Sequence, residues 1–181
     1  MDDQKYIYIV LTQTGTVLSS LIKARTGEPY NHVSIGLDEK LEEMYSFGRY
    51  FASNPFFAGF IKENIKNGLY RIKPKTECCI YKVSVSSKSL ILLKNFINEY
   101  KKNKSRYRFN FLGIVSLLID KPFRRKYKRF CAEFVSEALH YSGVHNIGKD
   151  HSFARPHDFH FIKNSEKVYE GKLKEYNKGY S

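Results

Sequence analysis

At 181 residues, with 42% hydrophobic and 15% aromatic residues, the chain has the length and apolar content of one domain (1–181) with a real core, which excludes a disordered polymer. The formal charge of +13 suits any polyanion, but lysine is spread throughout, so the charge alone selects no partner and reads first as a solvated basic surface. No apolar stretch reaches the roughly 18 to 20 residues of a membrane span, no basic-then-apolar leader follows Met1, and Cys78, Cys79 and Cys131 fit neither a disulfide framework nor a zinc site, so the expected setting is the reducing cytoplasm.

The elements follow in chain order. Lys5 to Thr12 is an apolar run of strand type, followed by Gly15 and a helix over about Thr16 to Lys23. In Asn31 to Leu37, Val33, Ile35 and Leu37 alternate with His32, Ser34 and Gly36, the period of a half-buried strand. A turn near Asp38 and a strand from Glu42 to Gly48 complete a hairpin. Asn54 to Asn67 reads as holding a short helix after Pro55. Cys78 to Val85 is a further strand, and Ser86 or Ser87 caps a helix with Leu90, Leu93, Ile97 and Tyr100 on one stripe. An apolar helix is expected over Phe109 to Ile119, and another over Cys131 to Ser142, stopped by Gly143. The polar tail from Asn164 adds an edge strand. Strands in hairpin order followed by helices predict an α+β fold rather than a doubly wound parallel sheet.

Two residues stand out chemically. Cys131 falls in the first turn of its helix, where unpaired peptide N–H groups and the positive end of the dipole favour a thiolate, the nucleophilic form of sulfur. The stripe Phe134, Val135, Ala138 and Leu139 turns Cys131 toward the sheet and sends Glu133 and Glu137 to another face. His32 lies on the polar face of a strand, a rigid mount for a general base. A buried thiol at a helix start is common, and so is a strand histidine facing water, so neither residue decides the matter alone. Together they supply the parts of a thiol–imidazole pair.

The segment TGEPYNHVSIGLD, Thr26 to Asp38, resembles the histidine strand of circularly permuted NlpC/P60 proteins, which include the YiiX-like proteins and, more distantly, lecithin:retinol acyltransferase. RFCAEFVSEAL, Arg129 to Leu139, is similar to the family's cysteine helix, and the Pro-x-Asp-Phe element at Pro156 to Phe159 follows it in the same order. The strand, turn and helix before His32 match as well. The resemblance implies a papain-like antiparallel sheet packed against a cysteine-bearing helix, with histidine before cysteine, the reverse of papain. It implies Cys131 as nucleophile, His32 as base, and a polar residue on the next strand to orient the imidazole. Glu43, Tyr45 and Ser46 are the candidates, with Glu43 preferred because a carboxylate best stabilises an imidazolium. Gln13, after the first strand, is a candidate oxyanion donor, and Tyr30 a candidate at the cleft edge.

The implied activity is a cysteine hydrolase or acyltransferase working on an amide, ester or thioester of a small-molecule, peptide or lipid-like substrate, with no metal or organic cofactor. The alternative is a non-catalytic module that binds anionic membrane or nucleic acid through a basic face. Lys101 to Arg108 and Lys121 to Arg129 are basic flanks around the apolar Phe109 to Ile119. They read as solvated flanks of a core helix, then as a contact for anionic lipid, and last as a nucleic-acid surface. His140, His145, His151, His157 and His160 lack metal-site spacing and read as loop histidines.

Overall fold

The computed structural model describes residues 4–14, 27–51, 54–113 and 125–179. At its centre is β1 (Lys5–Gln13), a run of β-branched and aromatic residues buried on both faces. On one side β1 pairs with β2 (His32–Gly36), and β2 continues to β3 (Met44–Phe51) and β4 (Asn54–Glu63). On the other side it pairs with β5 (Glu77–Val85), which carries the edge strand β8 (Ser165–Lys172). Two short strands, β6 (Arg108–Phe109) and β7 (Lys128–Arg129), extend the far edge. The sheet runs β7-β6-β4-β3-β2-β1-β5-β8, antiparallel throughout except for the parallel β6–β7 pair.

Alternation along the strands gives the sheet two faces with separate apolar clusters. Ile7, Ile9, Leu11, Val33, Ile35, Tyr45, Phe47 and Phe60 pack on one face with the helices. Tyr8, Val10, Met44 and Ile80 pack on the other, beneath the one-and-a-half-turn helix α1 (Gly68–Ile72) and its buried Tyr70.

Two longer helices cover the first face. In α2 (Ser87–Lys102), Ser86 is the cap, its hydroxyl accepting from the Ser89 amide at 3.0 Å, and Leu93, Ile97 and Tyr100 form the buried stripe. In α3 (Cys131–Tyr141), Phe134, Val135, Ala138 and Leu139 are fully buried against β2 and β3. Gly143, at φ 70°, ends the helix in the left-handed conformation, while the Val144 amide bonds back to the Leu139 carbonyl at 2.9 Å. Phe134 meets Phe47, Phe60 and Tyr100 with ring centroids 5.1 to 5.5 Å apart. An aromatic junction of this kind contributes beyond the area it buries and locks α3 in place over the sheet.

Two expectations from the sequence change. The helix after Pro55 is instead β4: Ala58 and Phe60 turn into the core while Phe57 faces solvent, so the period is two, and proline is tolerated at a strand start. The expected helix from Phe109 starts later. Phe109 ends β6, residues 111–113 are helical, and the buried Asn110 side chain accepts from the Gly113 amide at 3.1 Å. Residues 114–119 of that segment, and the helix expected at Thr16 to Lys23, lie outside the described residues. Among the described residues no helix is long and apolar enough to cross a membrane.

Candidate functional site

The antiparallel register sets His32 at the start of β2, opposite Thr12 of β1. Val33 and Ile35 point the other way, into the cluster that holds α3. Packing α3 on β2 brings the start of the helix toward the start of the strand, and the Cys131 thiol is among the groups that interact with the His32 imidazole and raise its pKa. The two residues singled out by sequence thus meet. Cys131 is 7% exposed. No side chain caps its helix at Phe130, which leaves the first-turn N–H groups without a side-chain acceptor.

The expected third residue is replaced by another. Glu43 does not reach His32. The pairing of Ile35 with Tyr45 and Gly36 with Met44 puts Tyr45, and Glu43 two residues before it, on the sheet face opposite His32. There Glu43 accepts from Lys62 at 3.2 Å and from the Tyr45 hydroxyl at 3.1 Å, half-exposed. Ser46 is on the same face as His32, but its hydroxyl is spent on the Val33 carbonyl at 2.7 Å. The partner of His32 is Glu63, the last residue of β4, with Oε1 2.8 Å from Nε2. Glu63 sits opposite Met44, which sits opposite Gly36, so alternation puts it on the His32 face. Reading β4 as a helix hid this parity.

Glu63 is itself held from several sides. Ser34 donates to Oε2 and lies 3.3 Å from His32 Nε2, and the buried Tyr70 hydroxyl donates to Oε2 at 3.2 Å. Burial raises a carboxylate's pKa, but the His32 charge and the donors Ser34 and Tyr70 outweigh it and hold Glu63 below its ordinary 4.5. For His32 the largest influence is again burial, which disfavours the imidazolium. The Glu63 carboxylate and the Cys131 contact overcome it, and His32 lies well above its ordinary 6.5. Its Nε2 is engaged by Glu63.

The acids of α3 are not turned to solvent. Glu133 is fully buried, 3.7 Å from the Arg129 guanidinium, and Glu137 takes Arg129 Nε at 2.8 Å and the Tyr100 hydroxyl at 3.2 Å. Arg129 therefore offsets the negative charge two residues from the thiol. Gln13 and Tyr30 have other partners. The Gln13 side-chain oxygen accepts from Asn31, and Gln13 lines a cavity of about 380 Å³ with Thr14 and residues 72–77. Tyr30 donates to Glu170 at 3.0 Å and stands 6.0 Å, centroid to centroid, from the His160 ring. His151 and His160 bond the Ser136 and Tyr81 hydroxyls at 2.7 Å, both through Nδ1.

What the arrangement can do follows from its parts: a thiol in contact with a base, the base fixed by a buried carboxylate, and amide donors at a helix start beside the sulfur. No family model, curated protein or solved structure matches this chain.

Proposed function

We propose that the chain is a permuted papain-like cysteine hydrolase or acyltransferase with Cys131 as nucleophile, His32 as general base and acid, and Glu63 as the residue that orients and charges the imidazole. One observation carries this reading: the His32 ring lies 2.8 Å from the buried Glu63 carboxylate and interacts with the Cys131 thiol at the start of α3.

The chemistry runs in two halves. The thiol proton passes to His32, whose imidazolium is stabilised by Glu63, and the thiolate attacks a carbonyl carbon of an amide, ester or thioester. The developing oxyanion is met by backbone N–H groups of the first turn of α3. His32 returns the proton to the leaving amine, alcohol or thiol as the C–N, C–O or C–S bond breaks, leaving an acyl-thioester on Cys131. His32 then takes a proton from water or an acceptor, which attacks the thioester and restores the thiol. The cycle needs no cofactor. Histidine on a strand before cysteine on a helix, both on one antiparallel sheet, supports the permuted papain-like assignment over papain's own order.

A p-nitrophenyl acyl ester tests the reading. Release of p-nitrophenol with an acyl adduct on Cys131 by intact-mass and peptide mapping is expected, and both signals vanish in Cys131→Ser. Turnover that survives Cys131→Ser, or an adduct mapped to Cys78 or Cys79, would overturn it.

A further inference from the structure

The edge of the sheet formed by β4, β6 and β7 carries a surface that the catalytic reading does not use. Phe57 of β4 is 60% exposed and Leu112 is 54% exposed. Gly59 pairs with Arg108 antiparallel, so Phe57, two residues before Gly59, and Leu112, four residues after Arg108, flank the same β4–β6 pairing. The same edge of the sheet carries exposed cations seated on tyrosine rings. Lys104 lies 5.3 Å from the Tyr50 centroid, and Arg106 and Lys126 lie 4.9 and 5.2 Å from that of Tyr127. Arg106 also donates to the Tyr127 hydroxyl at 3.3 Å, and Arg108 is exposed beside them. Tyr127 is held at φ 60°, a strained conformation for a bulky residue, in the turn bridged from Arg125 to Lys128.

The sequence charge is equally one-sided. Residues 101–129 contain eleven Lys and Arg and a single acid, Asp120. Cations, tyrosines and exposed aliphatic groups in one patch match the chemistry of a bilayer surface. The cations meet anionic headgroups, the tyrosines sit at headgroup level, and the apolar side chains enter the acyl boundary. A nucleic acid would use the cations and tyrosines but has no use for the projecting Leu112 side chain, which offers no face for base stacking.

We infer that the β4–β6–β7 edge, with its exposed Phe57 and Leu112 and the cations Lys104, Arg106, Arg108 and Lys126, docks the protein on an anionic lipid bilayer. The inference stands whether or not Cys131 is catalytic. If both hold, docking brings the enzyme site to the membrane, because β7 ends at Arg129, two residues before the thiol.

Co-sedimentation with large vesicles tests it, using phosphatidylcholine alone and an equal mixture of phosphatidylcholine and phosphatidylglycerol, at about 0.1 M and 0.5 M salt. Binding to the anionic vesicles, weak or no binding to the neutral ones, and loss at high salt are expected. Arg106→Gln with Lys126→Gln lowers partitioning by about 30-fold, roughly fivefold per cation. Phe57→Ser with Leu112→Ser lowers it at least about tenfold, with the far-UV spectrum and melting temperature unchanged because both side chains are exposed. Cys131→Ser binds as the parent does, which separates this result from the fate of the catalytic reading. Absence of binding to anionic vesicles, equal binding to neutral ones, or binding indifferent to the Phe57 and Leu112 pair overturns the inference. A single-stranded oligonucleotide that displaces the protein from vesicles and binds the Phe57/Leu112 variant as tightly as the parent overturns it in favour of nucleic acid.

Discussion

Glu63 and His32 are 31 positions apart in the chain and 2.8 Å apart in space. Nothing local connects them; two strand pairings do, from β2 to β3 and from β3 to β4. The carboxylate that matters most to the imidazole therefore depends on the register of three strands.

Glu63→Gln keeps the shape of that contact and removes its charge. Acyl transfer is expected to fall by roughly two to four orders of magnitude, the range for loss of a general base's proper state. Glu43→Gln should leave turnover unchanged, since Glu43 is engaged with Lys62 and Tyr45 on the other face. Steady-state kinetics on the two variants decides between the carboxylates.

Thiol selectivity gives a second expectation. Burial pushes the Cys78 thiol up to about 12 and raises Cys79 as well, while both lie at or below 1% exposure. Iodoacetamide at neutral pH should modify Cys131 and spare the adjacent pair. His32→Ala should slow labelling of Cys131 by at least about tenfold at pH ~6.5 and less at pH ~9.5, where any thiol begins to ionise unaided. Labelling that is indifferent to His32 at both pH values would count against the proton exchange described above.

The ion pair also predicts a pH window for stability. His32 is raised above 6.5, so its contribution is complete below 6.5 and is lost as pH climbs through the raised value. Glu63 is depressed below 4.5, so its contribution is complete above 4.5 and is lost as pH falls through the lowered value. The melting-temperature difference between parent and Glu63→Gln should be largest between 4.5 and 6.5 and should shrink on either side.

Arg129 makes a prediction about folding rather than chemistry. Arg129→Met strands the buried Glu133 beside the start of α3, at a cost of about 3–5 kcal/mol, the usual penalty for removing one member of a buried pair. Arg129→Met combined with Glu133→Leu should recover much of that loss in urea unfolding. If the single variant is as stable as the parent, Arg129 does not offset the charge of Glu133.

Gly59 offers a geometric check on the far edge. A Cβ at this position would come within 2.8 Å of the Tyr107 carbonyl and would also strike the Tyr50 hydroxyl. Gly59→Ala should therefore cost about 1–3 kcal/mol and disturb the β4–β6 pairing, measurable as faster amide exchange in β4 around Gly59.

The sequence was most legible where local periodicity carried the information. The strand run at Ile7 to Leu11 and the helical stripe behind Cys131 appear with the faces expected of them, whereas the strand at His32 is buried on both faces rather than half-buried, Ser34 included. The α+β arrangement of an antiparallel sheet under helices followed from their order. Legibility failed where pairing between distant segments decided the outcome. Phe56, Phe57 and Phe60 permit a helix or a strand, and only β3 lying alongside selects the strand. Once that choice was missed, Glu63 had no visible route to His32. Glu43 is the preferred candidate as a carboxylate one diagonal step from His32 in the hairpin, but register parity, which a short turn does not reveal, puts it on the opposite face. The helical stripe sends Glu133 to a face other than the one against the sheet, yet it is fully buried, and Arg129 four residues earlier makes that burial tolerable.

The two ends of the sheet have a consequence for the protein in concentrated solution. One end stops at β7, two residues long, and the other at β8, where Glu166, Lys167, Glu170 and Lys172 project and the ladder to β5 slips between Ile80 and Tyr81. A growing fibril recruits chains by laying a long, flat, uncharged strand along an open edge. Here the β8 edge is charged and kinked. That side of the sheet is guarded against recruiting a strand from another chain.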